Sequence, residues 1–156
     1  MKNSLVVSMA VLVAVCFSVR SATAQNNEQV LGIGFGIPYG ALGVNYEIGI
    51  NQYAAGTVGL GFAIEGVGWF AGGRLYYPVS AKLRTRLTAG YGVTAVVTGS
   101  ENGTRTGFAI GPGLDWRYGE KWSFQADVLF ATFDVHEGEH GDDSGVKIAL
   151  GFARRW

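Results

Sequence analysis

The chain has 156 residues in which 12 Lys+Arg balance 12 Asp+Glu, so it is one domain's length with no basic excess to draw a phosphate backbone. Nucleic acid is not an expected partner. Glycine supplies 25 residues, over twice the usual share of about 7%, while only 3 Pro occur, 13% of residues are aromatic and no G-X-Y period is present, which argues against helical, collagen-like and disordered chains and leaves a β-rich fold.

Residues 1–24 read as a cleaved signal peptide. Lys2 gives a positive start, Leu5 to Val19 is an uncharged apolar run, and Ala22-Thr23-Ala24 places small residues before Gln25. The run is shorter than the ~20 apolar residues of a spanning helix and meets Arg20. Cys16, the one cysteine, lies inside it behind Val15, which suits lipidation poorly. The expected mature domain, 25–156, therefore has no thiol and must hold together by packing and hydrogen bonding.

After Gln25 the apolar period is two, as in strands with unlike faces. Leu31, Ile33, Phe35 and Ile37 make the first row, opposite Val30, Gly32, Gly34 and Gly36, and Pro38-Tyr39-Gly40 ends it. Leu42, Val44, Tyr46, Ile48 and Ile50 follow, then Val58, Leu60, Phe62 and Ile64, then Trp69, Ala71, Gly73, Leu75 and Tyr77. The fifth row is Leu83, Thr85, Leu87, Ala89, Tyr91, Val93, Ala95 and Val97, closed by the polar loop Ser100 to Thr104. Phe108, Ile110, Pro112, Leu114, Trp116 and Tyr118 form the sixth, and Trp122, Phe124, Ala126, Val128 and Phe130 the seventh. After the acidic loop His136 to Ser144 come Ile148, Leu150 and Phe152. Eight such segments predict an all-β, eight-stranded antiparallel up-and-down barrel, a closure that removes sheet edges. Pro112 cannot donate to a ladder, and its neighbours Gly111 and Gly113 suggest a bulge.

No residue of the eight rows is charged, although 15% of the chain is. The opposite faces are mainly Gly, Ala, Thr and Ser, with a few charges: Glu47, Arg74, Arg84, Arg86, Asp115, Arg117, Asp127 and Lys147. Glycine on a water-facing surface gains nothing, whereas inside a narrow tube it makes room for arginines. The apolar rows are accordingly expected to face lipid in a transmembrane barrel, with Tyr77, Trp116, Tyr118, Trp122 and Trp156 as an aromatic girdle at one rim.

On these features the chain resembles the small eight-stranded bacterial outer membrane β-barrels of the opacity-like and attachment/invasion-like kind, over roughly 29–156. The sharpest element is the last strand, where Ile148, Leu150, Phe152 and Trp156 match the family's assembly signal of a final aromatic preceded by alternating apolar residues. The terminal Trp where Phe is commoner, and Arg154 on the apolar parity, depart from it. Near a rim, Arg154 could snorkel to a lipid phosphate. The resemblance implies little enzymatic activity.

Other motifs favour bland readings. His136-Glu137-Gly138-Glu139-His140 matches H-E-x-x-H, but Gly138 interrupts it and it joins two strands, so no zinc protease is expected. The acidic loop 136–144 could at most hold a divalent cation loosely. Gly32, Gly34 and Gly36 precede no helix and are no phosphate loop, and Asn102-Gly103-Thr104 reads as an ordinary turn.

With eight strands both chain ends fall on one side. The turns near Asn51, Pro78 and Gly119 are expected in the periplasm, and the loops near Pro38, Glu65, Asn102 and Glu139 outside. Tracing each strand puts Glu47, Arg74, Arg84, Arg86, Asp115, Arg117 and Asp127 in the periplasmic half of the lumen as a salt-bridged plug, with Lys147 the exception. Above it a shallow outer cup lined by Gly34, Gly36, Gly43, Gly59, Gly61, Gly92, Thr94, Gly111 and Ala149 is expected, and no through-pore. The expectation is a monomeric, porin-like, non-enzymatic protein of the Gram-negative outer membrane and cell surface, without cofactor or metal, with a structural or surface-interaction role. Its partners would be outer-membrane lipid and the outer-membrane assembly machinery. Two rivals stay open: a soluble exported barrel binding an apolar ligand, and a lipid-modifying enzyme using Ser144 with His136 or His140.

Overall fold

The computed structural model describes residues 28–63, 66–97, 103–132 and 144–156. Residues 1–24 with Cys16, Glu65, Asn102 and the segment carrying His136 and His140 lie outside these residues. Eight strands follow one another: β1 (Gln29–Gly36), β2 (Ala41–Asn51), β3 (Ala54–Ala63), β4 (Gly66–Pro78), β5 (Leu83–Val97), β6 (Gly103–Tyr118), β7 (Trp122–Thr132) and β8 (Ser144–Arg155). Each pairs antiparallel with the next, and β8 returns to β1 with Phe35 opposite Leu150 and Val30 opposite Arg155, so the sheet is a closed up-and-down barrel. Trp156 extends the seam through two backbone bonds with Gln29, at 3.1 and 3.2 Å, and its indole N–H donates to Gln29 Oε1 at 2.9 Å. The polar loop is shorter than its composition suggests, because Gly103 and Thr104 already pair with Val97 and Val96.

The two faces divide as their chemistry requires. Ile33 (63% exposed), Leu42, Phe62, Leu75, Phe108, Leu114, Val128, Ile148 and Phe152 all point outward, and Arg154 is the one charge among them on a strand. Lys82, Glu120 and Lys121, the other exposed charges among the described residues, lie in the turns near one rim, called here the turn end. Tyr77, Trp116, Tyr118, Trp122 and Trp156 are all more than half exposed near that rim. Such a surface, apolar round the strands and charged only at its margin, is the opposite of a water-soluble barrel's.

Two members of the apolar rows turn inward instead. Ile37 is buried because the chain leaves β1 in a 3-10 turn, Ile37–Tyr39, and does not continue the strand. Val93 is 4% exposed although it keeps the register of Tyr91 and Gly92, and it stands at the edge of a β-bulge, where the β5–β6 register shifts between Val93 and Ala95. Pro112 shows the converse. No bulge occurs at it: β6 and β7 keep one register from Ile110 opposite Phe130 to Gly113 opposite Asp127, and the ladder simply lacks pairs at Gly111 and Pro112. The lost donor is absorbed as a gap on the β7 side, while Leu87 of β5 still pairs with Pro112 on the other.

Candidate functional site

The lumen is where the chain's unusual chemistry converges. Its loop-end half is not the shallow cup expected from the glycines, because the turn after β1 folds back into the bore and fills it. Gly36 (φ 104°) and Gly40 (φ 62°) bracket the turn in left-handed conformations that side chains disfavour, and these two kinks aim it inward. Ile37 joins Phe70, Ala109, Leu129 and Ala131 in a small apolar cluster. Tyr39 is fully buried, and its hydroxyl donates to Gln125 Oε1 at 3.0 Å. Asn45 Nδ2 donates to the Pro38 carbonyl at 2.8 Å and ties the turn to β2. The turn accounts for three glycines directly: a methyl group on Gly59 would overlap the Pro38 carbonyl, one on Gly68 the Gly40 carbonyl, and one on Gly151 the Tyr39 hydroxyl. Small residues on β1, β3, β4 and β8 thus make room for the chain's own turn.

Below the turn, the seven charges expected to share the lumen do so. Glu47 accepts from Arg74 and from the Tyr76 hydroxyl, and from Gln125 Nε2 at 3.1 Å. Arg86 holds Asp127 in a two-pronged pair at 2.8 and 2.6 Å, and the Thr88 hydroxyl adds a third bond at 3.2 Å. Arg74 also reaches Asn45 Oδ1 at 3.1 Å. These side chains are almost entirely buried, so each carboxylate is neutralised by a fork-shaped guanidinium where an unpaired charge would be very costly.

Nearer the turn end, Asp115 accepts from Arg84 at 2.6 Å and from Arg155 at 2.7 Å. Arg84 also stacks on the Tyr76 ring, 4.3 Å from its centroid. Three arginines, Arg84 at 3.1 Å, Arg117 at 3.2 Å and Arg155 at 2.8 Å, share the single carboxylate of Glu28. Burial opposes the charge of Glu28, but the hydrogen bond from Arg155 and the positive charges of Arg155, Arg84 and Arg117 outweigh it, and its carboxyl titrates below its ordinary value.

Sequence reasoning missed several participants. Glu28 precedes the first strand, and Arg155 was legible from parity, being two residues on from the inward Ala153. Gln125 and Asn45 carry no charge to flag them, yet they link the turn to the ion pairs. No group of His, Cys, Asp and Glu suited to a metal occurs among the described residues. Ser144 begins β8, and the histidines proposed beside it lie outside the described residues.

No protein-family model matches the chain, and no curated protein matches it. Among solved structures, the chain is similar to the N-terminal β-barrel domain of Pseudomonas aeruginosa OprF, with a TM-score of 0.58 and 15% identity over 85% of this chain and 98% of that one. It is also similar to a de novo designed transmembrane β-barrel, with a TM-score of 0.53 and 16% identity over 87% of this chain and 100% of that one. The fold is that of an eight-stranded transmembrane barrel of outer-membrane type.

Proposed function

We propose that the chain is an integral protein of the bacterial outer membrane, exported by its cleaved leader, whose role is structural or in contacts at the cell surface and neither transport nor catalysis. The observation that carries this reading is the pairing of an apolar outer wall with a blocked bore. The outer wall suits lipid, and the lumen is closed twice over, by the turn around Tyr39 and by the ion pairs around Glu47 and Asp127. A soluble barrel for an apolar ligand would need its apolar rows inside and its interior empty, and this chain has neither.

The turn end, where the chain ends and short turns gather, is assigned to the periplasm, and the loop end to the outside. The finer kinship with opacity-like and attachment/invasion-like barrels is supported by the last strand, whose Ile148 and Phe152 face outward ahead of Trp156. The partners on this reading are outer-membrane lipid and the assembly machinery that receives that strand.

The test is fractionation followed by electrophysiology. Protein from outer membranes should migrate faster unboiled than boiled in denaturing gels, and purified protein in planar bilayers should give no steady conductance. Recovery from the periplasm without detergent would refute membrane insertion. A stable open channel in the unmodified protein would put transport ahead of a structural role.

A further inference from the structure

The ion pairs of the lumen form two sets with different charge balance. In the inner set, two guanidiniums, Arg74 and Arg86, face two carboxylates, Glu47 and Asp127. In the outer set, three guanidiniums, Arg84, Arg117 and Arg155, face only Glu28 and Asp115. The surplus positive charge is not spread evenly. Arg84 and Arg155 each hold both acids, whereas Arg117 reaches only Glu28, through two long bonds of 3.2 and 3.3 Å from one nitrogen, and its Nε is buried with no partner among the described residues.

That surplus borders open space. A cavity of about 680 Å³ opens at the turn end, with Glu47 and Tyr76 at its floor and Glu28, Arg84 and Arg117 on its wall. Val30, Ala55, Pro78 and Trp156 supply apolar lining, beside polar side chains such as Asn51 and Ser80. A guanidinium with an idle N–H, one unmatched positive charge and a partly apolar chamber of ligand size together specify what would fit.

We infer that this vestibule is a binding site for a small organic monocarboxylate, whose carboxylate pairs with Arg117 and whose apolar body lies in the chamber. Glu28 is then an internal competitor, a carboxylate of the chain standing in for the one the site accepts. A free monoanion brings the outer set to three against three. The inference goes beyond a structural role, and it holds whichever compartment the turn end meets.

The experiment is titration of the folded full chain in detergent micelles with benzoate, followed by heteronuclear NMR of the Trp156 indole and the arginine Nε–H groups. Benzyl alcohol serves as the neutral isostere and sodium chloride as the plain-anion control. Saturable shifts are expected with benzoate and not with benzyl alcohol. Arg117→Gln should weaken binding about tenfold, as loss of a charge-assisted bond does. Glu28→Gln should tighten it several-fold by removing the competitor, a change of the opposite sign that no folding defect would mimic. Faster migration of the unboiled variants in gels confirms that both are folded. No saturable shift in the unmodified chain, equal response to chloride, undiminished binding in Arg117→Gln, or unchanged or weaker binding in Glu28→Gln would each overturn the site.

Discussion

The Tyr39 hydroxyl, carried by the turn after β1, donates across the bore to Gln125 Oε1 of β7 at 3.0 Å, and Gln125 Nε2 passes the connection on to Glu47 of β2 at 3.1 Å. One uncharged amide therefore joins the loop-end plug to the ion pairs beneath it. Tyr39→Phe removes the donor and leaves the ring in place, so it should cost about 1 kcal/mol of stability. Tyr39→Ala also empties the space among Gly32, Gly34 and Gly151 and should cost about 3–5 kcal/mol. Urea unfolding in lipid vesicles measures both, and equal costs would show that packing contributes nothing.

Gly68→Ala tests the seat of the turn from the opposite wall. The added methyl would overlap the backbone of Gly40, which has no rotamer by which to move aside. The expected cost is about 1–3 kcal/mol. Gly56→Ala, where a methyl meets nothing, is the control and should be nearly neutral.

Leu114 lies mid-row on β6 and is 47% exposed on the outer wall. Leu114→Arg should cost about 2–4 kcal/mol at the bilayer midplane. Arg154, set at the rim over the Trp122 ring at 5.9 Å, shows where the wall does admit a cation. Normal insertion and stability with Arg at 114 would contradict the lipid-facing assignment.

Acid should weaken the turn-end rim in a predictable direction. The carboxyl of Glu28 titrates below its ordinary value of 4.5 in the folded chain, so the folded state binds fewer protons than the unfolded one near that pH. The stabilisation from its charge is complete above the ordinary value and is lost as pH falls through the lowered one. Unfolding midpoints followed from pH 7 downward should therefore drop more in the unmodified chain than in Glu28→Gln. Parallel curves would remove Glu28 from the acid response.

Trp156 closes the seam with Gln29 through backbone and indole bonds, and Phe152 packs edge-on against Phe124 at 5.3 Å. Deleting 152–156 removes these contacts and Arg155, so the shortened chain should accumulate unfolded in the periplasm. Surface insertion at normal levels would refute this.

The architecture was legible in the sequence because a barrel wall between two solvents enforces period two, and uncharged rows opposite Arg74, Arg86 and Asp127 fixed which face was which. That Glu47, Arg74, Arg84, Arg86, Asp115, Arg117 and Asp127 share one half of the lumen followed from strand direction, but which of them pair did not. What parity could not show was anything off the lattice of the strands. The inward fold of Ile37–Gly40 depends on two left-handed glycines in a sequence full of glycines, and nothing local distinguishes Gly40 from its neighbours. Val93 was misplaced at another such irregularity, the bulge that begins beside it. Glu28 escaped notice because it precedes the first strand and acts only through residues far along the chain.

The turn that fills the bore also constrains the order in which the chain assembles. Tyr39 rests on Gly32 and Gly34 of β1 and on Gly151 of β8, the two strands whose meeting comes last in the sequence and joins the most distant residues. Because the Tyr39 ring packs against both strands of the seam, docking of the turn and sealing of the cylinder should be coupled. Refolding followed at Trp156 and by protease protection of the turn should give a single shared rate.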